Sequence, residues 1–257
     1  MTGDHIDRVA PTRRPEGRVA QHQSWKKLTF LHWRVPESAL RPLLPPELTI
    51  DTFEGDAYVG LVPFTMTGVR PLWAPSVPGI SNFHETNVRT YVHKDGRDPG
   101  VWFFSLDAAS RVAVTVARTF WHLPYHHARM SLDVSEAPGS RSPEIRYVTE
   151  RLGPPPVPAG CKITTRVVGD VSPAVPGTLE HFLAERYILY ANTGAGLSIG
   201  RVHHTPYPLQ RAEVTAWDES LLSAAGIART CAAPLAHYAE GVDVEVFALV
   251  PLGNAGA

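Results

Sequence analysis

The stretch FHETNVRTYVHKDGRDPGVWFFSLD, residues 83–107, has the pattern of a β-hairpin on which the rest of the chain is built. Its arms, residues 83–92 and 101–107, flank a segment rich in Asp, Gly and Pro, which are turn-forming residues. Side chains on a strand alternate between two faces. In the first arm one face is half apolar and β-branched. The other face carries a row of mostly polar side chains: Phe83, Glu85, Asn87, Arg89 and Tyr91.

This polar row has two explanations. On pattern alone, an amphipathic strand with its polar face in water is favoured. However, the second arm is almost entirely apolar before Ser105 and Asp107, and a strand that is apolar on both faces is usually central in a sheet. A central second arm favours a first arm that is buried too, with the polar row lining an interior. A structural alternative is an ion pair between Glu85 and Arg89 that neutralises a buried charge.

Composition excludes several classes of protein. The 257 residues are 44% hydrophobic, which is ample for a core, and the net charge of −1 lacks the basic surface that nucleic-acid binding requires. We find no run of 18 apolar residues. Cys161 and Cys231 give no disulfide framework, which favours a reducing compartment. We therefore expect a cytoplasmic protein with neither a membrane nor a nucleic-acid partner.

Short strand patterns separated by Pro, Gly and Ser turns continue along the chain, which indicates a mainly β sandwich or barrel. We predict one domain over residues 23–250, between a flexible N-terminal tail, 1–22, and a C-terminal tail, 251–257. Residues 72–80 form a Pro- and Trp-rich loop whose length suggests a lid or rim. Three short helices are predicted at 110–122, where Val112, Val116 and Phe120 have helical spacing, and at 178–184 and 218–225.

The histidine pairs His126–His127 and His203–His204 are candidate metal ligands. Adjacent residues of a strand point to opposite faces, so neither pair brings both imidazoles to one ion. For His203–His204 the expected arrangement is one buried histidine, satisfied by the backbone, and one surface histidine. We find no Gly-x-Ser-x-Gly elbow and no other nucleophile motif. The sequence therefore predicts no metal site and no cofactor.

Several segments together resemble the uncharacterised YqjF-like family of the acetoacetate decarboxylase-like superfamily. They are Trp33-Arg34-Val35-Pro36, Leu43-Leu44-Pro45, Gly60-Leu61-Val62-Pro63-Phe64, residues 83–92 and 100–107, Leu123-Pro124-Tyr125 and Val202-His203-His204-Thr205-Pro206-Tyr207-Pro208-Leu209. The resemblance implies an antiparallel β-barrel or cone with a central cavity and a few short helices. Such a fold would place the polar row inside, which reverses the preference drawn from pattern alone.

A departure from the superfamily concerns lysine. Its decarboxylases use a lysine Schiff base in a segment that follows the helix, and a neighbouring lysine lowers the pKa of that amine. The comparable segment here, residues 123–128, is LPYHHA and contains no lysine. We therefore expect no imine-type decarboxylation, whereas Glu85 matches a carboxylate of the superfamily's pocket.

We accordingly predict a cofactor-free enzyme that acts on a small keto, enol or carboxylate-bearing molecule by acid–base chemistry, of the lyase, isomerase, cyclase or hydrolase type. The candidate catalytic residues are Glu85, Arg89, His126 and His203. The candidate substrate-binding residues are Asn87, Tyr91, Phe103, Ser105, Tyr125 and Tyr207. The alternative is a non-catalytic protein that binds a small molecule in the same cavity. A homo-oligomer is left open by the sequence.

Overall fold

One continuous sheet contains all thirteen strands of the computed structural model, which describes residues 6–73, 75–77, 80–136, 142–194, 196–228 and 232–252. The strands are β1 (Val19–Val35), β2 (Thr49–Ile50), β3 (Ala57–Pro71), β4 (Phe83–Lys94), β5 (Arg97–Ala108), β6 (Tyr125–Glu136), β7 (Pro143–Gly153), β8 (Gly160–Val168), β9 (Ile188–Thr193), β10 (Gly196–His203), β11 (Leu209–Glu219), β12 (Leu235–Phe247) and β13 (Val250–Pro251). The helices are α1 (Glu37–Leu40), α2 (Arg111–Phe120), α3 (Leu179–Ala184) and α4 (Leu221–Ala224), with short 3-10 turns at Ala10–Thr12 and Arg41–Leu43.

The sheet closes into a barrel. Its strand order is β13-β10-β9-β5-β6-β7-β8-β11-β12-β1-β3-β4-β2, and β4 also pairs with β5, which completes a ring. A further pairing joins β10 to β12. Most pairs are antiparallel, but β5 runs parallel to both β6 and β9. The predicted mainly β barrel with short helices is confirmed, apart from these two parallel pairs.

The hairpin of β4 and β5 is longer than predicted. Both strands extend into the segment assigned to the turn, so that only Asp95 and Gly96 connect them. Both residues have positive φ, 50° and 75°, which suits the right-handed twist of a two-residue hairpin. His84 and Lys94 are half-buried, and every other residue of β4 is buried, so the strand is covered on both faces. The polar row therefore lies in the interior, and the water-facing alternative is wrong.

The N-terminal segment is more ordered than the predicted tail. Residues 19–22 already belong to β1, where they pair with β12 and β3. Backbone pairing on both sides allows this polar stretch to be a strand without an apolar face. Further upstream, Arg8 donates two hydrogen bonds to the Asp51 carboxylate, at 3.2 and 2.5 Å. At the other end Pro251 lies in β13, and residues 253–257 lie outside the described part.

The three helices predicted from spacing are present as α2, α3 and α4. Ser110 caps α2 by accepting a hydrogen bond from the Ala113 amide at 3.2 Å, and Thr178 caps α3 in the same way. α4 is shorter than predicted because β11 continues to Glu219. Among the described residues we found no helix that is long and apolar enough to cross a membrane.

The apolar spacing noted in α2 faces outward instead of inward. Val112, Val116 and Phe120 are 50%, 45% and 71% exposed, while Ala113 and Ala117 pack against the sheet. The small alanines allow the helix to approach the strands closely, so the bulkier stripe remains outside. In the predicted loop 72–80, Trp73 is 86% exposed, and residues 74, 78 and 79 lie outside the described part.

Candidate active site

A cavity of about 200 Å³ lies within a second ring of strands, with room for a small organic molecule. The β5–β9 and β10–β12 pairings close this ring, which consists of β4, β5, β9, β10, β12, β1 and β3. Its walls come mainly from β1, β3, β4, β5, β9 and α2, and they are largely apolar, including Phe64, Phe83 and Trp121. Partly exposed side chains of β1 and α2 form the mouth, whereas the floor is made by buried residues, among them Arg89 and Arg186. Six sequence-predicted residues line this cavity: Glu85, Asn87, Arg89, Phe103, Tyr125 and Tyr207.

Glu85 and Tyr125 form a hydrogen-bonded pair in the wall. Tyr125 Oη donates to Glu85 Oε2 at 2.7 Å, and both side chains are buried. Strand pairing brings them together, since β4 is antiparallel to β5 and Tyr125 opens β6, which is parallel to β5. The tyrosine hydroxyl therefore reaches the one carboxylate of the polar row.

The surroundings set the pKa of both groups. Burial, together with the nearby charge of Asp107, raises the pKa of Glu85 from 4.5 to about 8, although the hydrogen bond from Tyr125 opposes this rise. Burial and the neighbouring Glu85 raise the pKa of Tyr125 well above 10. Glu85 is consequently a carboxyl group that exchanges its proton near neutral pH, beside a phenol that keeps its own proton.

Behind Glu85, on the opposite face of the sheet, lies a buried ion pair. Arg151 donates two hydrogen bonds of 2.7 Å to the Asp107 carboxylate, and both side chains are almost completely inaccessible. Nearby, the hydroxyls of Thr86 and Thr149 are 2.9 Å apart. These contacts tie β4 and β5 to β7 and fix the strand that carries Glu85.

His126 lies on this opposite face and not in the cavity. Its Nδ1 is 2.8 Å from the carbonyl oxygen of Pro154, and it does not line the cavity. Because Tyr125 points inward, the next residue of the strand must point outward. The prediction of His126 as a proton donor in the cavity is therefore corrected.

His203 is also outside, and its neighbour is the interior histidine. His203 is partly exposed, and its Nδ1 is 3.7 Å from Glu245 Oε2. His204 is buried against the rings of Tyr187 and Tyr207, with centroids 4.3 and 4.6 Å away, and burial lowers its pKa to about 4. One member of the pair is inside, as expected, but it is the member that the sequence analysis did not select.

Arg89 and Asn87 line the cavity with polar groups that lack partners. Arg89 Nη2 donates to the Leu183 carbonyl at 3.0 Å, while Arg89 Nε and Asn87 Oδ1 have no hydrogen-bond partner among the described residues. No ion pair joins Arg89 to Glu85 within the part of the chain that is described, so the structural ion pair considered from the sequence is wrong. Tyr91 does not line the cavity; its Oη donates to the same Leu183 oxygen at 2.7 Å.

A β-bulge removes Ser105 from the cavity. Arg89 pairs with Phe103 whereas Val88 pairs with Ser105, which leaves Phe104 as an extra residue in β5. The alternation of β5 changes at this point, so Phe103 and Leu106 face the cavity and Ser105 does not. Ser105 is buried behind the wall, and its prediction as a substrate-binding residue is corrected.

Arg186 is the cavity residue that sequence reasoning missed. It precedes β9, and its Nη1 is 2.8 Å from Asp51 Oδ2, so a residue 135 positions away holds it in place. A charged residue directly before an apolar strand was the only signal for it in the sequence. The lysines, Lys26, Lys27, Lys94 and Lys162, do not line the cavity.

Within the described residues, no group of three His, Cys, Asp or Glu side chains could hold a metal ion. Cys161 is buried in β8 as a free thiol, and burial raises its pKa to about 12. Cys231 lies outside the described part of the chain.

Comparison with known families agrees with the family resemblance seen in the sequence. The model of the DUF2071 family, described as an uncharacterized conserved protein, matches residues 22–243. The uncharacterized protein YqjF of Bacillus subtilis (strain 168) is 39% identical over 230 residues, which are 90% of this chain and 91% of that protein. The family resemblance inferred from the sequence is confirmed.

Solved structures show the same fold. The enduracididine biosynthesis enzyme MppR, complexed with the condensation product of pyruvate and imidazole 4-carboxaldehyde, superposes with a TM-score of 0.65 at 14% identity, covering 96% of this chain and 94% of MppR. The acetoacetate decarboxylase from Legionella pneumophila subsp. pneumophila str. Philadelphia 1 gives a TM-score of 0.61 at 11% identity, covering 93% and 94% of the two chains. At these identities the likeness establishes the acetoacetate decarboxylase-like fold.

Proposed function

We propose that this chain, which belongs to the DUF2071 family of uncharacterized conserved proteins, is an enzyme that moves protons on a small oxygenated organic molecule. Glu85 is the general acid or base, and Tyr125 is its hydrogen-bonded partner. The observation that carries the proposal is their 2.7 Å contact in the wall of a cavity. Binding alone does not require a carboxyl group whose pKa is near neutral and that is paired with a phenol.

The chemistry follows from the surroundings of Glu85. With a pKa of about 8 it holds its proton at neutral pH but releases it readily, which is what an efficient acid–base catalyst requires. Protonated Glu85 donates its proton to a carbonyl oxygen of the substrate. The resulting carboxylate keeps the hydrogen bond from Tyr125 and takes a proton from the adjacent carbon, which gives the enol, and the reverse transfers return the ketone. The buried guanidinium of Arg89 stabilises negative charge on the bound molecule.

The reaction that we propose uses no Schiff base. An imine requires a buried amine with a lowered pKa. The lysines of this chain lie outside the cavity, and Lys26, Lys27 and Lys94 make ion pairs with Asp243, Glu240 and Asp95. Acid–base chemistry on an unmodified substrate is therefore favoured over covalent catalysis, with no cofactor invoked.

Hydrogen–deuterium exchange tests the proposal without knowledge of the full reaction. The protein is incubated in D₂O with a panel of ketones and keto acids, and loss of the proton signals next to the carbonyl is followed by NMR. We expect exchange with at least one compound above the buffer rate, and a loss of about 10²-fold or more in Glu85→Gln. The matched control is Glu213→Gln, at an exposed position of β11, which should exchange like the wild type.

A protein that only binds small molecules gives a different result. The melting temperature of such a protein would rise when members of the panel bind, but the protein would not accelerate exchange. Glu85→Gln would then leave the exchange rate unchanged. That outcome would overturn the proposed enzyme and leave the non-catalytic alternative.

A further inference from the structure

Two arginines at the floor of the cavity present N–H groups without partners. Arg89 is 8% exposed and Arg186 is 6% exposed, and both line the cavity. Arg89 Nε and Arg186 Nη2 are buried and have no hydrogen-bond partner among the described residues. Their guanidinium carbons lie 5.8 and 4.9 Å from the centroid of the Tyr91 ring, so both cations are next to the same side chain.

The carboxylate in ion-pair contact with these arginines does not balance their charge. Arg186 has Asp51 as its ion-pair partner, but Asp51 also binds Arg8 at 2.5 Å. Arg89 has no carboxylate within ion-pair distance in the part of the chain that the structure describes, where its partner is the Leu183 carbonyl. A buried cation without a counter-charge is unfavourable. An anion bound between the two guanidiniums would supply that counter-charge.

The floor is separated from the Glu85–Tyr125 pair. Glu85, Asn87 and Arg89 are successive residues on one face of β4. Because a strand rises about 3.3 Å per residue, the Cα atoms of Glu85 and Arg89 are roughly 13 Å apart. Asn87 lies between them, with its Oδ1 also lacking a partner. A group held at the floor is therefore remote from the proton-transfer pair.

We propose that Arg89 and Arg186 form an anion subsite that holds a substrate carboxylate as an anchor, several bonds from the carbon that reacts at Glu85. The carboxylate is retained in the product, since it lies several bonds from the carbon that reacts. The ligand class is a carboxylic acid with a remote carbonyl or enol and an apolar remainder that packs on the apolar wall, which includes Phe64, Phe83 and Trp121. The anchoring role of the carboxylate relative to the reacting carbon rests on the proposed function. The anion subsite itself does not.

Calorimetric titration with simple probes tests the subsite. The probes are 3-phenylpropanoate and 5-phenylpentanoate, each compared with its primary amide, which has the same shape without the charge. We expect the wild type to bind at least one acid about tenfold or more tightly than its amide. Arg89→Met and Arg186→Met should each lose about tenfold or more for the acid and little for the amide. The control Arg146→Met, at an exposed position of β7, should bind like the wild type.

Glu85→Gln separates this inference from the proposed function. Measured at pH 7 and pH 9, its affinity for the acid should stay within about threefold of the wild type, because the carboxylate binds away from Glu85. Equal binding of acid and amide, no binding of either, or tighter acid binding by Glu85→Gln at pH 9 would overturn the subsite. If Arg186→Met does not fold, the acid–amide comparison on the wild type still decides. Intact acid binding by a wild type that does not accelerate exchange would refute only the proposed function.

Discussion

Replacing Glu85 by Gln should make the protein more stable, and the gain should grow with pH. Glu85 has a pKa of about 8 in the folded protein and an ordinary value of 4.5. Between these values the folded state holds a proton that the unfolded state has released, so the stability of the wild type falls as pH rises. Each pH unit in this window is worth about 1.4 kcal/mol. Gln resembles the protonated acid, still accepts the hydrogen bond from Tyr125 and does not titrate.

The size of this stability gain follows from the two pKa values of Glu85. The free energy of unfolding of Glu85→Gln should exceed that of the wild type by under about 1 kcal/mol at pH 5, roughly 3 kcal/mol at pH 7 and about 4 to 5 kcal/mol at pH 8.5, apart from a constant offset. Urea unfolding followed by tryptophan fluorescence measures these differences, provided that the m-values of the two proteins agree. Glu213→Gln, on the exposed face of β11, is the matched control and should give a flat line. A difference for Glu85→Gln that is independent of pH would refute the argument, because the carboxyl group would then have an ordinary pKa in the fold.

Other parts of the molecule give further expectations. Arg151→Met leaves the buried Asp107 carboxylate unpaired and should lower the free energy of unfolding in urea by roughly 3–5 kcal/mol. Adding Asp107→Asn to the same chain should restore part of this loss, and additive losses in the double variant would contradict the expectation. Tyr125→Phe removes a hydrogen bond that lowers the pKa of Glu85, so the proton loss of Glu85 should move to higher pH in the same unfolding series. Treatment with a chelator should leave melting temperature and exchange activity unchanged, and a stoichiometric zinc ion in the purified protein would contradict this. Borohydride added with pyruvate should leave the mass of the protein unchanged, whereas a lysine adduct would reveal imine chemistry.

Local sequence rules identified the centre of the site because its key residues lie on one regular strand. Alternation along β4 groups Glu85, Asn87 and Arg89 on one face, and the structure places all three in the cavity. Alternation does not say which face is inside. The apolar pattern of β5 favoured a buried neighbour, and the family resemblance placed the polar row inside. The segments that carry this resemblance also include Tyr125.

The errors arose where the outcome depends on contacts distant in sequence. For His203–His204, alternation correctly predicted that the two members separate, but the packing of other strands determined which of them is inside. Arg186 reached the cavity through its contact with Asp51, far away in the sequence. Ser105 was assigned to the wrong face because the bulge at Phe104 is visible only in the register between β4 and β5.

The bulge has a consequence for how the cavity could diversify within this fold. A substitution changes one lining side chain at a time, whereas an insertion or deletion normally shifts the register of a whole strand. Deleting Phe104 would remove the extra residue, and the pairing on either side of it could remain in place. Ser105 would still pair with Val88 behind the wall, and Phe103 and Leu106 would keep their places in the cavity. The cavity would therefore have to diversify by substitution of its lining residues, because a length change at this bulge leaves the wall as it is.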